Sequence, residues 1–347
     1  MTNRVDAREV PLRAGFESGV MSSEVLQIGL RAMLGVMGEE RPPTSTKQLA
    51  EAVIELWQHK GGRGALTPLD RLEPLAPTEV ASRLRVGPLR VQLIRLCVVA
   101  VLFDRKRDLD RVARLEQLAE ALNVYEPGVA DVRRWAARQP LRLRRNLLRR
   151  TWAIEELGAR AAEVGLAKVI WVFIGMFLRT HQNPDLAARY RKLGELPSDT
   201  LGATLIHDLR KCGFSLPGER GSAEDYMIRH DLVHALADIG TDARSEVEAG
   251  SFMAGCRSYD GFVLIVFVLL QFHCGLRVTP VAPGEVGLVD PRRMLDALSR
   301  SVFMTIDPSV RAWNYEAVFT EPIDRLRERY RIAPSRLRPV GEAAAAA

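Results

Sequence analysis

The stretch Arg229-His230-Asp231-Leu232-Val233-His234, followed by Glu246, carries residue types that bind and use divalent metals. His230 and His234 are four apart, so on a helix both rings leave the same face and can share one ion. Asp231 lies about 100° further round that helix, close enough to be a ligand or to hold a bound water. Gly240-Thr241 then reads as a helix stop and a new N-cap. His234 is six residues before Gly240 and Glu246 six after it. At 1.5 Å per residue each sits about 9 Å from the turn, level in an antiparallel hairpin. Two imidazoles with one or two carboxylates suit zinc, or iron, cobalt or manganese with open coordination positions. In another register Glu248 or Asp242 would replace Glu246.

Other chemistry is poorly supplied. There is no GxSxG nucleophile elbow, and Gly61-Gly62-Arg63-Gly64 lacks the GK[ST] ending of a phosphate loop. Cysteines 97, 212, 256 and 274 form no CxxC pair, which excludes a zinc ribbon and a thioredoxin-type motif and suits a reduced, cytoplasmic setting. His181 and His273, beside apolar runs, read as core histidines, and His59 as a helix C-terminal residue. A phosphohydrolase of the HD type would instead join His207 and a distant Asp290 or Asp296 to His230 and Asp231.

The elements that must position these groups are helices. Residues from Ser22 or Ser23 to Met37, Lys47 to Gln58, Pro88 to Phe103 and Leu109 to Leu122 place apolar side chains at three- and four-residue spacing. Strand patterns are nearly absent, so the expected fold is all-α. Two helical domains are expected, residues 1–150 and 151–340, with a low-complexity tail at 341–347. The apolar runs Val169 to Leu178 and Phe262 to Leu270 are shorter than the roughly 20 residues a membrane span needs. They read as buried helices or as walls for an apolar ligand, with Phe173, Phe177, Phe262 and Phe267 as candidate lipid contacts.

The chain has 347 residues, 47% hydrophobic, and a net charge of +6, which excludes wholesale disorder and does not by itself argue for nucleic acid. Arg133 to Arg150 is a strongly basic stretch containing eight arginines. It reads as a solvated helix face, an interdomain clamp or a surface for anionic lipid headgroups, with Trp135 and Trp152 as interfacial partners. No RNP, KH or helix-turn-helix signature supports a nucleic-acid partner. The polar N-terminus shows neither a secretory signal nor a transit peptide.

The metal motif, HDxxH with eleven residues (235 to 245) before Glu246, resembles that of the Coq-type family of ubiquinone biosynthesis, its fourth member. Leu196-Pro197-Ser198-Asp199-Thr200-Leu201-Gly202 is similar to the family's LPxxTLG helix entry, and Asn183-Pro184-Asp185 to the connection before it. Trp313-Asn314-Tyr315-Glu316-Ala317-Val318-Phe319, Pro322-Ile323 and Leu326-Arg327 are similar to its C-terminal segment. The resemblance covers residues 168 to 337, about half the chain. It departs where Val233 replaces an aromatic residue, and residues 1–150 have no counterpart in the family. The piece Leu96 to Asn123 resembles TerB-like helical domains, with the basic Asp104-Arg105-Lys106-Arg107-Asp108 in place of an acidic turn.

The resemblance implies a metal-bearing helical protein that binds a prenylated quinone or its precursor and supports decarboxylation and oxidation at ring carbon C1. Asp231 would orient or deprotonate, and Arg229 would pair with an anionic ring substituent. The resemblance also implies other biosynthetic proteins as partners, a peripheral place on the inner membrane, and a homo-oligomer as one state. A non-catalytic lipid-binding scaffold fits it as well as an enzyme does.

Overall fold

A computed structural model of the chain describes residues 4–17, 21–38, 42–151, 158–163, 165, 182–220, 222, 228–279 and 282–337. The fold is all-α. Among the described residues the only paired strands are the two-residue β1 (Val5–Asp6) and β2 (Val124–Tyr125), parallel to each other.

The chain divides into two compact units. The first joins residues 1–150 to 250–302 and 335–337; the second holds 151–249, 303–334 and 338–347. Residues 250–302, assigned from sequence to the second domain, thus cluster with the first. Their apolar helix is buried on nearly all sides and can only be satisfied inside a core.

In the first unit, α1 (Ser23–Met37) starts where the Ser22 side chain accepts the Val25 N–H and stops at Gly38, whose φ of 67° lies in the left-handed region. Then come α2 (Thr44–His59), α3 (Pro77–Arg83), α4 (Gly87–Asp104) and α5 (Leu109–Ala121). Asp104 and Asp108, on either side of the basic Arg105-Lys106-Arg107 turn, are engaged within the protein. Asp104 pairs with Arg111 and accepts the Ser45 hydroxyl at 2.7 Å. Asp108 caps α5 through the N–H groups of Asp110 and Arg111.

Next follow α6 (Pro127–Ala136) and α7 (Pro140–Arg150). Half of the basic stretch works internally. Arg133 pairs with Glu116, Arg134 with Asp131, Arg144 donates to the Val278 carbonyl, and Arg150 bridges Asp131 and Asp260 at 2.7 Å each. Trp135 is buried rather than interfacial, with the Arg107 guanidinium 5.5 Å from its ring. Trp152 lies outside the described residues.

The second unit contains α8 (Pro184–Leu193), whose N-terminus is capped by Asn183, and α9 (Leu201–Lys211), capped by Thr200. It continues with α10 (Ile228–Ala237) and α11 (Ala243–Cys256), the latter crossing the division at residue 250. In the first unit α12 (Phe262–Phe272) and α13 (Pro291–Ser301) complete the core, and α14 (Ile323–Arg329) closes the second. No helix among the described residues is long and apolar enough to cross a membrane.

Candidate metal centre

The helical period puts His230 and His234 on one face of α10, as their spacing requires. Their ring centres are 4.7 Å apart. Helix α10 ends in a Schellman arrangement: the Ile239 N–H donates to the His234 carbonyl at 3.0 Å and the Asp238 N–H to that of Ala235 at 3.3 Å. The left-handed residue there is Asp238, φ 52°, not Gly240 as the sequence suggests. Asp is among the few side chains that tolerate this conformation.

The chain then turns into α11, and the cap also differs from expectation. Asp242, rather than Thr241, accepts the N–H groups of Arg244 and Ser245 at 2.8 and 3.1 Å. That employment, together with the register, leaves Glu246 as the carboxylate facing the histidines. Its oxygens lie 3.3 Å from His230 Nε2 and 3.5 Å from His234 Nε2. Ligand atoms of His230, His234 and Glu246 all fall within 4.8 Å of one another, so the three could hold a metal ion. Neither Glu248 nor Asp242 joins them.

Two further contacts orient the rings. His234 is buried, and its Nδ1 lies 2.6 Å from the Gly240 carbonyl oxygen. A carbonyl only accepts, so Nδ1 carries the hydrogen and Nε2 presents a lone pair toward Glu246 and His230. That buried Nε2 makes no hydrogen bond among the described residues. Asp231 was expected as a ligand or a holder of water. It stands instead on the other side of His230, with Oδ1 3.8 Å from Nδ1, where a carboxylate biases a metal-binding imidazole.

Electrostatics point the same way. Burial disfavours charge on His230, but Asp231 and Glu246 outweigh it and push its pKa up to about 10. Burial and the His230 charge lower His234. Burial alone would raise Glu246, yet the two histidines bring it below its ordinary value. The group therefore stabilises one positive charge, which a proton on His230 or a cation can supply.

The segments that flank the metal motif in sequence meet in the fold. Arg327 donates from Nε to the Leu236 carbonyl at 3.0 Å and from Nη2 to that of Ala235 at 3.1 Å, capping the C-terminus of α10. Arg229 is buried with its guanidinium 5.3 Å from the Tyr315 ring centre. This packing role differs from the substrate-pairing one expected. The entry to α9 docks on the C-terminal segment: Gly202 donates to the Phe319 carbonyl at 2.8 Å, Leu201 to that of Glu321 at 3.0 Å, and Ile323 to that of Asp199 at 2.8 Å. A Cβ on Gly202 would lie 3.0 Å from the Phe319 oxygen, which explains the glycine.

The remaining candidates are placed elsewhere. His207 is exposed on α9, and neither it, Asp290 nor Asp296 joins the group. Asp290 caps α13, while Asp296 accepts from Arg336 and Ser335. Phe262 and Phe267 belong to the first unit, Phe262 buried and Phe267 partly so. Phe173, Phe177 and His181 lie outside the described residues. Neither a protein family, a curated protein nor a solved structure matches the chain.

Proposed function

We propose that this is a metal-dependent protein of the ubiquinone-biosynthesis type, acting at C1 of a prenylated aromatic acid. The observation that carries the metal part of the reading is His234 Nε2, a buried lone pair aimed at a carboxylate and a second imidazole, with no hydrogen bond among the described residues. Leaving such a group unpaired is unfavourable, and a cation satisfies it. His230, His234 and Glu246 would hold the ion, with zinc the first candidate for this donor set and iron, cobalt or manganese the others. A bound divalent cation would supply Lewis acidity toward a substrate carboxylate.

The protein's own groups do the rest. Gly240 fixes the His234 tautomer, and Asp231 biases the His230 ring while remaining exposed enough to take a proton from a bound acid. Arg229 acts as a positioning residue through Tyr315. The exposed Arg138, Arg142, Arg145 and Arg149, none with a partner among the described residues, form a basic stripe suited to an anionic membrane surface.

Elemental mass spectrometry of wild type, His234→Ala and Glu246→Ala tests the centre. About one equivalent in wild type, lost in both variants, is expected; a folded wild type that takes up no metal refutes it. Release of labelled carbon dioxide from a carboxyl-labelled prenylated hydroxybenzoate then tests the chemistry. Metal without turnover, with assembly of partner proteins impaired, would favour the scaffold.

A further inference from the structure

The first unit holds a half-open cavity of about 510 Å³ among α1, α2, α4, α12 and α13. Every residue lining it belongs to that unit, so it is separate from the metal centre. Apolar walls left open to water are unfavourable, and a ligand that covers them recovers that free energy. The cavity lies within the range of roughly 300–1,000 Å³ typical of pockets for one small ligand.

Gly29 shows that the space is not a by-product of tight packing. It sits in the middle of α1, where glycine is unfavourable. A Cβ there would meet only the Leu93 Cδ1, at an ordinary 3.9 Å. No neighbour demands the missing side chain, and its absence enlarges the cavity.

The walls are aliphatic and aromatic, including Leu26, Leu93, Trp57 and Phe262. The charged lining residues are Glu17, Lys60, Arg63 and Arg95. Arg95 is buried and already held by Glu126 at 3.1 Å and the Ala7 carbonyl at 2.6 Å. Lys60 and Arg63 are exposed at the end of α2 and its glycine-rich turn, and so are available to a ligand.

We propose that this cavity binds a single-chain anionic amphiphile, a long-chain carboxylic acid, with its hydrocarbon among the helices and its carboxylate at Lys60 and Arg63. The volume accommodates one chain. Helix-lined apolar space buries it by the hydrophobic effect, and the exposed Lys60 and Arg63, against the single acid Glu17 in the lining, select the charged head.

The test uses the delipidated, metal-free full chain, so the outcome is independent of the metal centre. A dansyl-labelled undecanoic acid is titrated and displaced by palmitate or by hexadecanol. Saturable binding of one probe per chain is expected, with palmitate displacing it at least tenfold better than hexadecanol. Gly29→Leu, which favours the helix and fills the space, should weaken palmitate at least tenfold. Lys60→Glu/Arg63→Glu should weaken palmitate similarly and leave hexadecanol unchanged. Absence of saturable binding, indifference to Gly29→Leu, or equal affinity for acid and alcohol would each overturn the proposal.

Discussion

His234 donates its Nδ1 hydrogen to the Gly240 carbonyl oxygen at 2.6 Å. A carbonyl in the turn beyond α10 thereby sets the protonation of Nε2, the nitrogen that faces Glu246. The carbonyl is held in place by the left-handed turn at Asp238, and the geometry of that turn becomes part of the site. Contacts of this kind behind metal ligands typically govern affinity by 10- to 100-fold.

Asp238→Gly should keep metal affinity, because glycine adopts the same φ without strain. Asp238→Val should lower it by about tenfold, since a β-branched residue resists the left-handed region. Competition with a chromophoric chelator measures both. Equal affinities in the two variants would mean that the Gly240 contact does not tune the site.

The docking of the α9 entry on the C-terminal segment gives a stability prediction. Gly202→Val forces a branched side chain against the Phe319 carbonyl and Leu196, and overpacking of this sort costs about 1–3 kcal/mol. Arg327→Ala removes two charge-assisted hydrogen bonds from the last turn of α10, a loss of about 1–2 kcal/mol. Urea denaturation gives both values. Arg327→Ala should also weaken metal binding, while Gly202→Val should act on stability first.

The legible part of this protein was what helical periodicity controls. Spacing alone placed His230 and His234 together and Glu246 opposite them, and the structure brings those three together. The hairpin's exact stop was not legible. Gly240 is the usual signal, but Asp238 takes the left-handed conformation, and Gly240 contributes its carbonyl instead. Arg327 and Tyr315 stand in the C-terminal segment, yet nothing in sequence shows that residues so far along the chain cap or cover α10. Division of the chain was equally hidden, since α12 looks the same to periodicity whichever core it fills.

His273 predicts an acid sensitivity in the first unit. Its ring stacks on Phe103, centroids 4.5 Å apart, and Nε2 donates to the Phe103 carbonyl at 2.9 Å. Buried Nδ1 has no partner among the described residues. Burial lowers the pKa, and the Arg105 charge adds to that despite the opposing carbonyl. The folded state therefore takes up a proton less readily than the unfolded chain. Its contribution is complete above the unfolded value of about 6.5 and declines as pH falls from there toward the folded pKa. His273→Phe should lower stability at pH 8, where the hydrogen bond is lost, and flatten the decline between pH 7 and 5. An unchanged slope in denaturation midpoint against pH would assign the sensitivity to other groups.

The basic stripe offers a surface prediction. Along α7, Arg142, Arg145 and Arg149 recur at three- and four-residue spacing and are exposed, with Leu141 77% exposed beside them. On the same helix Arg144 and Arg150 are tied to internal partners and hold it in place, while Arg133 and Arg134 on α6 pair with Glu116 and Asp131. Each basic residue near an anionic bilayer contributes about 1 kcal/mol. Reversing three of them as Arg142→Glu/Arg145→Glu/Arg149→Glu should therefore lower binding to vesicles containing phosphatidylglycerol by well over tenfold, while Arg133→Glu should act mainly through the Glu116 pair. Sedimentation with vesicles of increasing anionic content separates the two. Wild-type binding that is absent, or that survives both the triple reversal and high salt, would remove the membrane role from this helix, because a contact made by exposed arginines must be screened by salt.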